Sequence, residues 1–185
     1  KSRALIEYTL FNNTILQENE YDTAIENYLS KTYGLDNNSF KVLRTEKGII
    51  PMEDRRYPLF YNKRTLNIGT AGGWTKPSTG YTFSRIQNRC RKIVKQLEKG
   101  KNPVIRHESR YRFRVYDMMI LYLIKNYPEE SVRLFLQLFK TSGIEKVLKF
   151  LNEDTSILEE LSIFYKLKYR PFFRSIYHLK HRVFT

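Results

Sequence analysis

Residues 68–81, "IGTAGGWTKPSTGY", differ sharply in composition from the rest of this 185-residue chain. Four of the chain's eight glycines lie in this stretch, whereas the remainder is rich in tyrosine, phenylalanine, lysine and leucine. Glycine is used where the backbone bends unusually or approaches another group closely. The glycine stretch, as we call residues 68–81, therefore indicates either a tightly packed turn or a bare backbone surface for a flat ligand.

The elements predicted on either side of the glycine stretch are a short buried strand, "LNIG", and a long helix. Ser78 or Thr79 can cap this helix, and Gly100 ends it. Unpaired N–H groups and the helix dipole at such a start favour a phosphate or the edge of a flavin ring. The pattern is neither G-x-G-x-x-G nor a P-loop. The apolar face of the helix consists of Phe83, Ile86, Cys90, Ile93, Val94 and Leu97.

The remaining segments predict an α+β fold, with a short β-sheet portion followed by a mainly α-helical C-terminal region. "ALIEYTLF" and "FKVLRTEKGIIPM" have strand composition, and "NEYDTAIENYLSKTYG" between them has helical periodicity. From Tyr111 onward five helices are predicted, and Pro128 and Pro171 separate some of them. We place the division between the sheet portion with the glycine stretch, residues 1–77, and the helical region, residues 78–185.

Positive charge dominates the chain, because it contains 33 lysines and arginines but only 19 acidic residues, which gives a net charge of +14. Such an excess suits nucleic acid, phosphorylated ligands or an anionic membrane. The segment "LKYRPFFRSIYHLKHRVF" interleaves basic and aromatic residues, as a membrane-surface helix does. No apolar run approaches the about 20 residues that span a bilayer. One cysteine, Cys90, excludes an internal disulfide and favours a reducing, cytoplasmic setting.

Two motifs resemble those of the flavin-dependent lycopene cyclases. "GTAGGWTKPSTGYTF", residues 69–83, is similar to the family's flavin-contacting segment, in which a G-x-A-G and P-[ST]-T-G-Y pattern precedes a long helix. "RALIEYTLF", residues 3–11, resembles its active-site strand, which carries a glutamate in an I-E-x-T type motif. Helical segments such as "RYRFRVYDMMILYLIKNYP" and "VLKFLNEDTSILEEL" extend the resemblance over nearly the whole chain.

The resemblance implies a flavoprotein substrate domain that uses reduced FAD, with NAD(P)H as reductant. Its substrate would be lycopene, drawn from a membrane to which the protein binds peripherally. Family members begin with a dinucleotide-binding half bearing G-x-G-x-x-G, which is missing here, so we expect this chain to be a C-terminal half that is inactive alone. The implied FAD contacts are Gly69, Thr70, Ala71, Gly72, Gly73, Pro77, Ser78, Thr79 and Gly80.

Glu7 is the candidate catalytic acid, matched to the family's motif glutamate. A carboxylic acid among apolar neighbours stays protonated and can donate a proton to a double bond. Strand alternation places Glu7 on one face with Leu5, Thr9 and Phe11, although a solvent-facing glutamate is the simpler interpretation of the residue alone. Tyr8 stands where the family usually has a second acid, so the proton path differs here. Tyr8 and Trp74 are candidate substrate-binding residues. Trp74 would contact a carbocation through a cation–π interaction.

Two other interpretations remain open. One is another flavoprotein of the same wider fold, such as a prenyl reductase or an aromatic hydroxylase. The other is a basic nucleic-acid-binding module, although the basic residues are dispersed and we expect no nucleic acid partner. We predict no metal site, because His107, His178 and His181 lack metal-ligand spacing with cysteine or acids.

Overall fold

A computed structural model describes residues 3–36, 38–105 and 109–183. The chain divides into two compact units, residues 1–48 (unit 1) and residues 49–185 (unit 2). The predicted α+β class with a mostly helical C-terminal region is confirmed. The boundary that we placed at residues 77 and 78 stays a prediction.

Unit 1 contains helix α1, Glu18–Tyr33, where the sequence predicts it. The backbone N–H of Gln17 donates to the Glu20 carboxylate at 2.7 Å, which satisfies one donor at the helix start. Gly34 ends the helix in the left-handed conformation, with φ 66°, and its N–H donates to the carbonyl of Ser30. Leu29 is the buried residue of the helix.

The strands predicted at residues 4–11 and 40–52 are wrong, because both segments are irregular in the structure. A strand is defined by hydrogen bonds to a neighbour, and β-branched composition alone gives only an extended chain. Within the described residues no segment pairs with either one. Leu5 remains 91% exposed in consequence.

Unit 2 begins with a small hairpin of β1, Phe60–Asn62, and β2, Thr65–Leu66, which pair antiparallel. The Asn62 side chain accepts the N–H groups of Arg64 and Thr65 and so closes the turn. The strand predicted over "LNIG" is therefore shorter than expected and ends before the glycine stretch begins. In β2, Thr65 is exposed and Leu66 is half-buried, so neither residue is fully buried as expected.

Helix α2, Phe83–Glu98, follows the glycine stretch and starts later than predicted. Its N-cap is Thr82, so the expected cap at Ser78 or Thr79 is wrong. Gly80, with φ 70°, holds a separate turn that delays the helix. The helix ends before Gly100, as predicted. Its apolar face is not buried within the described chain, since Phe83 is 72% exposed.

Five helices after residue 110 confirm the predicted helical region. Helix α3 is central, since Phe113 and Leu123 face one buried cluster while Met118 and Met119 face a second cluster with Leu179 of the last helix. The five helices are α3, Tyr111–Asn126; α4, Pro128–Ser142; α5, Ile144–Leu151; α6, Ile157–Phe164; and α7, Arg170–Val183.

Candidate functional site

The first half of the glycine stretch is a 3₁₀ turn, Gly69–Gly72, followed by Gly73 with φ 68°. A Cβ atom at Gly72 would lie 2.5 Å from the carbonyl oxygen of Asn67. One at Gly73 would lie 2.9 Å from the Tyr57 ring. These two positions need glycine because the protein's own atoms approach closely. This supports the packing interpretation of the stretch for Gly72 and Gly73.

The second half of the glycine stretch is a turn closed by the backbone of Lys76. The Lys76 carbonyl accepts the N–H of Gly80 at 2.9 Å, and the Lys76 N–H donates to the carbonyl of Tyr81 at 2.9 Å. Gly80 adopts φ 70°, which is strained for any residue with a Cβ. Several of the backbone N–H groups that we expected to face a ligand therefore stabilise the turn itself.

The part of the stretch that is open to a ligand is Gly69–Ala71. Thr70 and Ala71 are exposed and Gly69 is half-buried, whereas Ser78 is buried. This short run of small residues fits the edge of a flat ring such as a flavin. Contact with FAD stays a prediction for all nine expected residues: Gly69, Thr70, Ala71, Gly72, Gly73, Pro77, Ser78, Thr79 and Gly80.

Lys76 points from the glycine stretch into a buried charge network. Its side chain is 2% exposed, and its Nζ lies 3.0 Å from Asp117 Oδ1 and 3.3 Å from Glu153 Oε1. Arg85 of α2 forms a second ion pair with Glu153. The network contains two cations and two carboxylates, and it joins the glycine stretch and α2 to α3 and the segment between α5 and α6.

Two hydroxyl groups complete the network. Ser78 Oγ donates to Asp117 Oδ1 at 2.5 Å, and Ser109 Oγ donates to Glu153 Oε2 at 2.6 Å. Glu153 itself has φ 64°, which is uncommon for a residue other than glycine. The buried carboxylates are thus hydrogen-bonded as well as paired, as buried charges require.

The two carboxylates of the network titrate differently. Burial raises the pKa of Asp117, and the Lys76 ammonium and the Ser78 hydroxyl only partly offset it. Burial also acts to raise the pKa of Glu153, but Lys76 and Arg85 outweigh it and hold that pKa below its ordinary value. Glu153 is therefore the more firmly ionised of the two.

Trp74, a predicted substrate-binding residue, is buried and faces a protein cation. It is 4% exposed, and the Arg89 guanidinium lies 5.2 Å from its ring. Burial lowers the pKa of Arg89 to about 10, and the nearby charge of Arg85 adds to this effect. A guanidinium already occupies a cation–π position at Trp74. Its contact with a substrate stays a prediction.

Glu7 and Tyr8 lie in unit 1, whereas the glycine stretch lies in unit 2. Glu7 is exposed, and its carboxylate accepts a hydrogen bond from Thr9 Oγ1 at 2.7 Å. The predicted apolar burial of this carboxyl is thus not provided by the described residues of unit 1. Tyr8 packs edge-on against Tyr21, with 6.2 Å between ring centroids. Both candidates line an open cleft of about 340 Å³ with Leu5, Ile6, Ala24, Ile25, Tyr28 and Tyr33.

A second, partly buried ion pair joins α3 to α6. Arg112 Nε lies 2.9 Å from Glu160 Oε2 and 3.0 Å from Glu160 Oε1. Tyr116 donates to the same carboxylate at 3.1 Å. Burial, followed by the charge of Glu160, raises the pKa of Tyr116 to about 12. This pair is a useful internal comparison for the Lys76 network.

Sequence reasoning missed Lys76, Asp117 and Glu153 as a cluster. The available signals were a lysine inside a run of small residues and an aspartate that interrupts the apolar run "VYDMMILYLI". Charged residues are almost never fully buried without a partner, so each signal suggested a buried charge but neither identified its partner. Across residues 3–36, 38–105 and 109–183, no cluster of three or more potential metal ligands occurs, and His107 lies outside these ranges.

A family model described as "Lycopene cyclase protein" matches residues 1–177 of the chain. The chain belongs to the lycopene cyclase family. The matched range includes Glu7, the glycine stretch and the Lys76 network, and membership supports a role in carotenoid cyclisation. No curated protein and no solved structure matches the chain significantly. In the part of this lycopene cyclase family member that the structure describes, every helix is too short or too polar to cross a membrane.

Proposed function

We propose that this member of the lycopene cyclase family closes β-ionone rings at the ends of lycopene. The family match over residues 1–177 carries this proposal. In the proposed reaction a proton adds to the terminal double bond and gives a tertiary cation. A neighbouring double bond attacks the cation and forms the ring, and a ring proton then leaves. The product is an isomer of the substrate, so no net oxidation occurs.

Glu7 is the proposed proton donor. Its carboxyl lies at the open cleft of unit 1, beside the apolar side chain of Leu5 and the ring of Tyr8. The end of a polyene in this cleft would exclude water from the carboxyl, as a strong proton donor requires. Tyr8, the next residue, is the proposed contact for the substrate, since an aromatic ring attracts a cation over its face.

The proposed cofactor is FAD in its reduced form, with NAD(P)H as the reductant. When bound, reduced FAD supplies an electron-rich ring that stabilises nearby positive charge. Gly69, Thr70 and Ala71 would hold the edge of that ring through accessible backbone, because no large side chain stands there. The turns on either side fix the backbone conformation of these three residues.

The protein would meet its substrate at a membrane surface, and helix α7 supports this proposal. Tyr169 directly precedes the helix, Phe173 and Tyr177 follow at every fourth position within it, and all three residues are at least 66% exposed. Lys180 Nζ lies 5.0 Å from the centroid of the Tyr177 ring, which places a cation beside these aromatic side chains. Such a surface suits anionic headgroups and the outer acyl region of a bilayer.

Pigment analysis tests the proposed function. The gene product that carries this chain is expressed in bacterial cells that accumulate lycopene, and the carotenoids are separated by chromatography. We expect cyclic carotenes from the unchanged protein and unchanged lycopene from Glu7→Gln. Glu26→Gln, which alters another exposed carboxylate of unit 1, should cyclise normally.

Three results would contradict parts of the proposal. Unchanged lycopene in cells with the natural sequence would contradict the substrate assignment. Acyclic reduced or hydroxylated pigments that form with consumption of NAD(P)H would indicate a prenyl reductase or hydroxylase instead. Cyclisation by the Glu7→Gln variant would show that the proton comes from another group.

A further inference from the structure

We propose that Lys76 and Asp117 are positioning residues that fix the shape of the glycine stretch for its ligand. The identity of that ligand rests on the proposed function, whereas the positioning itself follows from geometry. Lys76 is the only charged residue among residues 68–81, yet it is 2% exposed. A lysine adopts this location only when partners compensate its charge, so the network determines where the stretch can lie.

Lys76 links the local turn to the distant helices within a single residue. Its backbone closes the turn through hydrogen bonds with Gly80 and Tyr81. Its ammonium group contacts Asp117 of α3 and Glu153 beyond α5. A change in the position of α3 or of Glu153 would therefore move the turn, and the reverse also holds.

Asp117 receives a second group from the same turn. Ser78 Oγ donates to Asp117 Oδ1 at 2.5 Å, while Lys76 Nζ lies 3.1 Å from Oδ2 of that carboxylate. Pro77 stands between the two donors, and its ring fixes φ near −65°. Two contacts to one carboxylate, with a stiff residue between them, leave this segment little freedom to rotate.

The composition of the network favours positioning over stability as its role. Replacing a complete buried ion pair with apolar residues is often neutral or stabilising, whereas removing one partner is strongly destabilising. A buried pair that contributes little net stability can still select one conformation. The Arg112–Glu160 pair is a second ion pair of α3, with side chains 24% and 1% exposed, and it links α3 to α6 through no residue of the glycine stretch. It therefore serves as the matched control.

The decisive variant is Lys76→Met/Asp117→Asn, made in the gene product that carries this chain. It removes one positive and one negative charge, so the net charge of the network is unchanged and the Arg85–Glu153 ion pair remains. Asparagine can still accept the Ser78 hydroxyl hydrogen. The control, Arg112→Met/Glu160→Gln, removes the other pair in the same way. Amide hydrogen exchange is followed in peptides that cover residues 68–82 and, for comparison, α4.

We expect exchange in residues 68–82 to rise about tenfold in Lys76→Met/Asp117→Asn, since a hydrogen bond to a charged group is lost locally. Exchange in α4 should stay unchanged, and the control pair should leave residues 68–82 as they are. Unchanged exchange over residues 68–82, or an equal rise in the control, would overturn the positioning role.

Kinetics with lycopene give the second measurement. The positioning variant should lower kcat about tenfold at an unchanged KM, because the stretch is proposed to contact the cofactor and not the polyene. A kcat that matches that of the control variant would contradict the functional part of the inference.

Amide hydrogen exchange does not depend on turnover, so it separates the positioning role from the proposed function. If exchange changes as expected while the natural sequence forms no cyclic product, the proposed function fails and the positioning role stands.

Discussion

Two neighbouring glycines show why single residues of the glycine stretch cannot be exchanged freely. Gly72 lies against the backbone of Asn67, and Gly73 combines a left-handed φ of 68° with close contact to the Tyr57 ring. Both constraints come from residues outside the stretch. The composition of the sequence indicates that glycine is needed, but only the fold shows what approaches it.

Replacing Gly73 with alanine tests this constraint. We expect Gly73→Ala to lower the free energy of unfolding by ~1–3 kcal/mol, because it adds backbone strain to a steric contact. The measurement is urea-induced unfolding. Gly48→Ala is the control, since no atom lies within 4 Å of a Cβ at Gly48. Equal unfolding midpoints for the two variants would contradict the close packing.

The residues of the candidate site could be predicted only where their signal is local. The glycine stretch and Glu7 lie in recognisable motifs, so sequence alone identified them as candidates. The partners of Lys76 lie 41 and 77 positions further along the chain. No local pattern links such distant charges, because the helices that carry Asp117 and Glu153 determine the contact.

At the scale of elements, the helices were predictable and most strands were not. Helices α3 to α7 follow from apolar periodicity, capping residues and prolines, all of which lie within each segment. The segments at residues 4–11 and 40–52 have strand composition, but a strand also requires a partner. The start of α2 was misplaced because Ser78 bonds to Asp117 and is not free to cap the helix.

Helix α6 provides a test at this scale because it is only eight residues long. Ser156 accepts the N–H of Glu159 at 3.3 Å, and the Glu159 carboxylate accepts the N–H of Ser156 at 2.8 Å. We expect Ser156→Ala to destabilise the protein by ~1 kcal/mol, as loss of an N-cap does. Thermal unfolding followed by circular dichroism measures the effect. The exposed Ser30 of α1 supplies the control, and a loss in Ser30→Ala as large as in Ser156→Ala would contradict the capping role.

At the scale of the whole molecule, net charge and exposed rings act together. The net charge of +14 attracts any polyanion, so charge alone does not separate a membrane from a nucleic acid. We propose a membrane because insertion into the acyl boundary requires apolar side chains, which the exposed rings on and next to α7 supply. On the inner side of this helix, Leu179 and Val183 are buried. The outward rings are therefore available to a membrane while the helix remains packed.

Sedimentation with lipid vesicles tests the proposed membrane surface. We expect the protein to bind vesicles with anionic lipid more tightly than zwitterionic ones, since each basic residue near the surface contributes about 1 kcal/mol. Salt should weaken that binding because it screens surface charge. Phe173→Ser should weaken vesicle binding by about tenfold more, which is the loss expected when an apolar ring is removed from the acyl boundary. Val132→Ser, at an exposed position of α4, is the control. The contradicting result has two parts. Phe173→Ser would bind vesicles as tightly as the natural sequence, and oligonucleotide binding would depend on salt as strongly as vesicle binding does. Charge alone would then drive association, and α7 would not be the membrane surface.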